Sequence, residues 1–338
     1  MRGVEKRIVM DDINLFRAIL MRRYGAHPTA LHPLRPAYGG VYRVTHGGQS
    51  DSDWVLRAYR DADPAALDAH VSTLIFLERQ GYPAPRLVHA VEGQPVIAEH
   101  GWHILVTTYV EGDVTDYQPP SLRLLGAALG RLHRLNTRDA TMASPPVPVS
   151  WRLPTLEGPA ILERLRAHQS RVPPALGAQY EAFTTALEEL PSCTGLPRAL
   201  LHTDPYPGNA IRTSAEHVAL LDWDGAGLGP AIIDVGYLLI TCDKGLPKDP
   251  RPHPDPGRIA ALVQGYAHER PPTATELDAL ADGMRSWPAT RGARAFVDAL
   301  TDPARTVAWR SWRGRYEAVE EVAALARSYF APLHTSAS

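Results

Sequence analysis

Residues 200–210 read LLHTDPYPGNA, and this stretch decides the fold. Its two prolines exclude a regular helix, because proline lacks a backbone N–H and restricts the residue before it to extended conformations. The loop therefore carries His202, Asp204 and Asn209 at the spacing H-x-D-x-x-x-x-N. Taken alone, His202 and Asp204 are also typical of turn residues whose side chains bond their own backbone.

The segment behind this loop predicts a hairpin. NAIRT (209–213) and HVALLDW (217–223) are β-rich runs separated by a polar turn. The second run returns to the start of the first, so Asp222 is expected beside Asn209. Phosphoryl transfer needs a carboxylate near the acceptor hydroxyl, and it needs oxygen ligands that hold Mg²⁺ on the nucleotide phosphates. Asp204 suits the first task, and Asn209 with Asp222 suits the second.

The motifs HTDPYPGN and LLDWDGAGLGPAIIDVGYL resemble the catalytic and metal-binding segments of the aminoglycoside phosphotransferase and choline kinase family. The resemblance extends in order over about residues 35–330. It implies an α+β, bilobal, protein-kinase-like fold. The implied parts are a small strand-rich nucleotide-binding lobe over residues 1–106, a hinge over 107–112, and a larger, mostly helical lobe over 113–338 with the catalytic loop and the acceptor-binding helices.

The resemblance also implies roles for single residues. Asp204 would be the catalytic base, and His202 would brace the catalytic loop beside it. Asn209 and Asp222 would be ligands of Mg²⁺, and Asp234 would help to hold the loop. The expected co-substrate is ATP, and the expected partner is a small molecule that offers a hydroxyl group.

The first part of the chain predicts strands around one long helix. A short helix is expected over residues 11–24, and the runs 41–45 and 54–59 predict an antiparallel pair. Asp63 as N-cap and Gly81 as stop delimit the long helix. Two more strands are expected at PVIAEH and HILVTTYV, and helices dominate after the hinge.

By the resemblance, YGGVYRV places Gly39 and Gly40 at the turn that covers the nucleotide. Val55 and Arg57 share a face of the next strand because side chains alternate. Val55 is therefore expected to line the adenine pocket, and Arg57 to reach the phosphates. Arg57 stands where the family has Lys, and His70 stands where the family has the Glu that pairs with that Lys. These departures put full catalytic competence in question and leave the fold assignment intact.

The stretch LVTTYVEG resembles the hinge, whose backbone groups bind an edge of the adenine. Thr107, Thr108 and Tyr109 lie nearest to that position. Backbone recognition leaves no side-chain signature, so GTP is an open alternative to ATP.

The motifs do not choose the acceptor, because one fold serves many substrates. Residues 289–316 contain six arginines against two aspartates. This basic region disfavours a polycationic aminoglycoside and favours an acceptor with a carboxylate or phosphate, although a solvated helix face explains many of these arginines. Trp287, Trp309, Trp312 and Tyr316 raise the alternative of a cage for a quaternary ammonium group, against the simpler interpretation that they belong to the core.

Composition limits the class of protein. A chain of 338 residues predicts two lobes. Its 35 Lys and Arg against 37 Asp and Glu argue against a surface for nucleic acid, and no apolar run approaches the about 18 residues of a membrane span. Only Cys193 and Cys242 are present, which excludes a disulfide framework and fits a reducing cytoplasm. The sequence does not predict the oligomeric state.

Two other functions use the same residues. Arg57 and His70 motivate a nucleotide-binding protein with little catalysis, and the acids of the loop would also serve a Mg²⁺-dependent hydrolase. A protein kinase is disfavoured, because the stretch between Asp222 and Asp234 is too short for an activation segment.

Overall fold

The structure is a computed structural model, and it describes residues 10–34, 40–46, 52–60, 62–137, 147–242, 254–302 and 308–335. The chain divides into two compact units, Met1–Glu111 and Gly112–Ser338. The division falls inside the stretch that the sequence predicts as a hinge. In the part of the chain that the structure describes, no helix combines the length and apolar character needed to cross a membrane.

The first unit is built on a five-stranded sheet. Its elements are α1 (Met10–Tyr24), β1 (Pro28–Pro33), β2 (Val41–His46), β3 (Trp54–Arg60), α2 (Pro64–Arg79), β4 (Val96–Glu99) and β5 (Trp102–Thr108). The strands lie in the order β1-β2-β3-β5-β4, and all neighbours are antiparallel. The predicted helices and strands of this unit are confirmed. β1 is an additional strand that begins and ends with proline, a residue that strand patterns exclude.

The two faces of β3 carry different residues. Leu56 is fully buried in a core cluster with Phe16 of α1 and Ile104 of β5, so α1 covers this face of the sheet. Side chains alternate along a strand, and Val55 and Arg57 therefore point to the opposite face, where both are half-buried. The prediction that these two side chains share a face is confirmed.

Helix α2 begins as the sequence predicts. The carboxylate of Asp63 accepts a hydrogen bond of 3.0 Å from the amide of Ala65, and Pro64 occupies the first turn, where its missing N–H has no helical partner to lose. Gly81 follows the helix with φ of 64°. His70 lies on the buried side of α2.

The second unit is mostly helical. Its strands are β6 (Asp113–Val114), β7 (Arg198–Leu201), β8 (Ala210–Arg212), β9 (Val218–Leu220) and β10 (Gly227–Pro230). Its helices are α3 (Pro119–His133), α4 (Pro154–Ala167), α5 (Gly177–Glu188), α6 (Ala231–Ile240), α7 (Pro256–Glu269), α8 (Ala274–Asp278), α9 (Leu280–Thr301), α10 (Ala308–Glu317) and α11 (Val319–Thr335). β7 pairs with β10, and β6, β8 and β9 form a three-stranded sheet. The predicted hairpin is thus confirmed as β8 and β9.

Helices α3 and α7 approach each other at glycines. A Cβ at Gly126 would lie 2.3 Å from a backbone oxygen of α7, and a Cβ at Gly265 would lie 2.0 Å from a backbone oxygen of α3. Both distances are shorter than any real Cβ contact, so the two helices can pack this closely only because these positions are glycine. At the end of the same pair, His133 Nδ1 lies 2.9 Å from the hydroxyl of Tyr266.

Candidate active site

The loop of residues 202–206 connects two pieces of sheet in the second unit. β7 leads into it from its pairing with β10, and a short 3-10 turn over Pro207–Asn209 leads out of it into β8. The hairpin then brings the chain back, since the amide of Leu221 donates a hydrogen bond of 2.8 Å to the carbonyl oxygen of Asn209. The loop is therefore fixed at both ends by backbone pairing.

The carboxylate of Asp234 holds the start of the loop. It is fully buried in the first turn of α6. Oδ2 accepts a hydrogen bond of 2.5 Å from the amide of His202, and Oδ1 accepts one of 3.0 Å from the amide of Thr203. Nε2 of His133 lies 3.6 Å from Oδ2, beyond hydrogen-bonding distance. Because unsatisfied buried amides are costly, this carboxylate favours one conformation of the loop.

The imidazole of His202 joins the loop to the end of β9. Nδ1 accepts a hydrogen bond of 3.3 Å from the amide of Asp204, which places the ring proton on Nε2. Nε2 then donates to the carbonyl oxygen of Leu221 at 2.7 Å. The ring is fully buried, and its centroid lies 4.6 Å from that of Trp223. These contacts hold the loop against the end of β9.

Asn209 holds Asp204. Its Nδ2 donates to the carbonyl oxygen and to the carboxylate of Asp204, both at 3.1 Å. Asn209 is fully buried, whereas the Asp204 side chain is 18% exposed, so the carboxylate remains accessible to a ligand.

Two residues of the site have left-handed backbones. Thr203 and Asp222 both have φ of 70°. For residues other than glycine such conformations cost about 1–3 kcal/mol each, and they concentrate at functional sites. Asp222 directly follows Leu221, whose amide binds Asn209, so the structure places the two predicted metal ligands at adjoining positions of the backbone.

The donor atoms of these two residues fit a hard cation. Carboxylate and amide oxygens are the ligands that Mg²⁺ takes from proteins, and it usually adds waters and substrate phosphates to one or two of them. Among the described residues, no cluster of three or more His, Cys, Asp or Glu side chains could hold a metal ion. Asn209 and Asp222 offer one amide oxygen and one carboxylate, a donor set of the kind that Mg²⁺ takes from proteins.

Two residues that the motifs did not indicate also contact Asp204. The hydroxyl of Tyr237, from α6, donates to its Oδ1. Burial raises the pKa of Tyr237 far above its usual value, so the hydroxyl keeps its proton and acts as a donor. Arg291, from α9, lies with Nη2 3.6 Å from the same Oδ1 and donates to the carbonyl oxygen of Thr203 at 3.2 Å. Burial opposes the charge of Arg291, but the nearby Asp204 carboxylate helps to raise the pKa of the guanidinium above its usual value.

The other predictions for the second unit concern its tryptophans and its run of arginines. Trp287 and Trp309 are buried, as the core interpretation predicts. Arg310 is exposed as expected, but Arg315 is buried and donates to the carbonyl oxygen of Ile240 at 3.0 Å. A solvated helix face therefore does not describe the whole basic run, and Arg305 lies outside the described residues.

The carboxylate of Asp224 is 32% exposed and belongs to an ion pair. Its Oδ2 lies 2.9 Å from a guanidinium nitrogen of Arg152. This ion pair joins the segment before α4 to the loop that follows β9. The local sequence around either residue does not indicate the pairing.

In the first unit, Gly40 lies against β3. Its φ is 72°, and a Cβ there would lie 2.4 Å from the carbonyl oxygen of Ala58. The amide of Ala58 donates to the carbonyl oxygen of Gly40 at 2.7 Å, and the next residue, Val41, is paired with Arg57. The turn and Arg57 are thus neighbours in the sheet. Gly39 lies outside the described residues.

Thr107 and Thr108 of the predicted hinge end β5, and Tyr109 follows the strand. Thr107 is paired with Val55 on β3. The amides of Thr108 and Tyr109 donate at 2.8 Å to the carbonyl oxygens of Arg86 and Asp53. Both amide protons are therefore engaged within the first unit.

The strand-rich first unit and the helical second unit with its loop form a protein-kinase-like fold. The sequence profile of the phosphotransferase enzyme family matches residues 32–274, most of the chain. The protein belongs to this family. A search of the curated proteins found no significant match to the chain.

Solved structures with the same fold are distant in sequence. An amicoumacin kinase, in complex with AMP-PNP, Ca²⁺ and Ami, is 17% identical with a TM-score of 0.65, and the match covers 94% of each chain. A spectinomycin phosphotransferase bound to AMP is 16% identical with a TM-score of 0.62, over 92% of this chain and 97% of that chain. An ethanolamine kinase of Plasmodium vivax is 13% identical with a TM-score of 0.63, over 95% of this chain and 91% of that chain.

Proposed function

We propose that the protein is a Mg²⁺-dependent phosphotransferase that moves the γ-phosphate of ATP, or of GTP, to a hydroxyl group of a small molecule. The observation that carries this proposal is the accessible Asp204 carboxylate, which Asn209 and Tyr237 hold by hydrogen bonds. Membership in the phosphotransferase enzyme family supports the reaction class.

Asp204 is the base in this proposal. The acceptor hydroxyl gives its proton to the carboxylate while its oxygen forms a bond to the γ-phosphorus. The bond from that phosphorus to the β,γ-bridging oxygen breaks, and ADP leaves with the electron pair. Positioning and charge account for most of catalysis in such reactions, so the rigid loop held by Asp234 is the main contribution of the chain.

Asn209 and Asp222 would hold the metal ion. When bound, Mg²⁺ neutralises charge on the β- and γ-phosphates. The contribution of the chain is to fix two oxygen donors at adjoining backbone positions. The amicoumacin kinase holds AMP-PNP together with Ca²⁺, which supports a nucleotide and a divalent cation as ligands of this fold.

The first unit would bind the nucleotide. Gly39 and Gly40 would approach the phosphates, Val55 the adenine and Arg57 the α- and β-phosphates. Arg57 offers a planar fork of donors, which suits phosphate oxygens. Thr107, Thr108 and Tyr109 would lie nearest to the adenine edge.

A nucleotide-binding protein with little catalysis is the second candidate. It rests on Arg57 and on His70, which is 4% exposed on α2. A His cannot form the carboxylate pair that the family uses at this position, and a charged imidazole would repel Arg57. This candidate predicts stabilisation by Mg²⁺ and nucleotide without turnover of any acceptor.

The Asp204→Asn variant tests the proposal. ADP release from ATP is measured with panels of hydroxy acids, amino alcohols and sugars, beside the surface variant Asp298→Asn as control. General base catalysis is worth about 10²–10⁴-fold, so we expect a loss of that order only in Asp204→Asn. Full transfer activity in Asp204→Asn would disprove the role of this carboxylate. Phosphate release from a substrate without nucleotide would indicate a hydrolase instead.

A further inference from the structure

The guanidinium of Arg291 occupies an aromatic cage beside Asp204. Its Cζ lies 5.0 Å from the ring centroid of Tyr237, 4.9 Å from that of Trp287 and 5.8 Å from that of Trp312. Aromatic faces of this kind can hold a substrate ammonium group. Here a cation of the chain itself fills the cage, so an alkylammonium substrate would have to displace the guanidinium of Arg291.

Arg291 differs from Arg152 and Arg294, two other arginines of the second unit. Arg152 lies 2.9 Å from the carboxylate of Asp224, and Arg294 lies 2.8 Å from the carboxylate of Glu157. The carboxylate nearest to Arg291 is that of Asp204, at 3.6 Å. The counter-ion of Arg291 is therefore the proposed base. Among the described residues, the only hydrogen bond of the Arg291 side chain is the one from Nη2 to the carbonyl oxygen of Thr203.

We infer that Arg291 binds an anionic group of the acceptor, so that the substrates are small hydroxy compounds with a carboxylate or phosphate. This inference rests on the proposed function and specifies its acceptor. Arginine presents a fork of N–H donors that matches both anions. The side chain is 24% exposed, and its buried Nε has no hydrogen-bond partner among the described residues.

The charge balance of the reaction favours such an acceptor. When the hydroxyl proton moves to Asp204, the carboxylate loses its negative charge while Arg291 keeps its positive charge. An anionic group on the acceptor compensates that cation throughout the step, whereas an ammonium group would add to the repulsion.

The geometry also limits the size of the acceptor. Nη2 of Arg291 and Oδ1 of Asp204 are 3.6 Å apart, so hydrogen bonds of about 2.8 Å to these two atoms place the anionic group and the hydroxyl at most about 9 Å from each other. Short hydroxy acids and hydroxyalkyl phosphates meet this limit.

A panel of compounds that differ at one end tests the inference. ADP release is measured with 3-hydroxypropanoate, glycerol 3-phosphate, 3-aminopropanol and 1,3-propanediol. We expect kcat/KM for at least one anionic acceptor to exceed that for the ammonium and neutral compounds tenfold or more. The better of the two anions identifies a carboxylate or a phosphate as the group that is bound. Equal values, or a preference for 3-aminopropanol, would overturn the inference.

The Arg291→Gln variant assigns the preference to this side chain. We expect it to lose the preference through a rise in KM for the anionic compounds. The control is Arg310→Gln, since Arg310 also lies over a tryptophan, with Cζ 5.4 Å from the Trp309 ring, but is exposed on the surface. A loss of kcat in Arg291→Gln that is equal for all acceptors would indicate a merely structural role and would overturn the inference.

The same experiment separates this inference from the proposed function. If Mg²⁺ and ATP stabilise the protein but no anionic acceptor is turned over, the acceptor class is wrong and the nucleotide site remains. If Mg²⁺ and ATP do not bind, the proposed function fails as well.

Discussion

Oδ2 of Asp234 accepts a hydrogen bond of 2.5 Å from the backbone amide of His202, which precedes it by 32 residues. The same carboxylate satisfies the amide of Thr203. Asp234→Ala should therefore leave two buried donors unsatisfied, at about 1–3 kcal/mol each. We expect a clear fall in the urea midpoint of unfolding, together with loss of phosphotransferase activity.

The matched control for Asp234→Ala is Asp298→Ala on α9. Asp298 lies at the surface with 32% of its side chain exposed and pairs with the exposed Arg164 at 3.2 Å, a type of ion pair worth about 0–1 kcal/mol. Equal urea midpoints for the two variants would contradict the role of Asp234.

Arg57 should contribute to nucleotide affinity. It lies on the face of β3 opposite the core and is paired with Val41, next to Gly40. Loss of a hydrogen bond to a charged group costs about 1.5–3 kcal/mol, so Arg57→Ala should weaken Mg²⁺-ATP binding about 10- to 150-fold. Arg57→Lys should retain more affinity than Arg57→Ala. Calorimetric titration measures both.

Arg60→Ala provides the control on the same strand, because Arg60 is 40% exposed and pairs with Asp12 at 3.2 Å. If Arg57→Ala bound nucleotide as tightly as Arg60→Ala, Arg57 would not be a phosphate ligand.

The local parts of the site could be predicted from the sequence, and the distant ones could not. Proline chemistry and a short hairpin suffice to place Asp204, Asn209 and Asp222, because these residues lie close together in the chain. Arg291 reaches the loop from α9, and in the sequence it is one arginine of a basic run. No periodic pattern distinguishes it from exposed neighbours such as Arg310.

The missed strands have a similar explanation. β10 has the sequence GLGP, and β1 the sequence PTALHP. Glycine and proline are depleted in strands, so these segments form strands because a partner is present and not because of their own propensity. Tyr237 was missed for another reason, since its buried apolar neighbours on α6 make it look like a core residue.

His133 should make stability depend on pH. Burial lowers its pKa below the usual value, an effect that Asp234 opposes and Arg270 reinforces. The unfolded chain takes up this proton near pH 6.5, and the folded chain takes it up only at lower pH. The neutral imidazole of His133 therefore contributes its full share to the free energy of unfolding above about pH 6.5. This contribution is lost as the pH falls, by up to about 1.4 kcal/mol per pH unit.

His133→Gln should remove this part of the slope of unfolding free energy against pH between 6.5 and 5. The exposed His268 on α7 offers the control His268→Gln. An unchanged slope in His133→Gln would show that the imidazole is not buried as described.

The two cysteines should resist thiol reagents in the folded protein. Cys193 and Cys242 are both buried, and burial raises the pKa of Cys193 to about 11. The thiolate is the reactive form, so Ellman's reagent at pH 8 should label both residues only after denaturation. Rapid labelling of the native protein would contradict their burial.

The most direct test is a thermal-shift titration with ATP and with GTP, each with and without Mg²⁺. A ligand at 100 times its Kd stabilises the folded state by about 2.7 kcal/mol. We expect Mg²⁺ with nucleotide to raise the Tm of the wild type, and Asp222→Asn to lose the metal-dependent part while the surface variant Asp298→Asn keeps it. If neither nucleotide raised the Tm of the wild type, the protein would have no working nucleotide site, and the proposed phosphotransfer would be wrong.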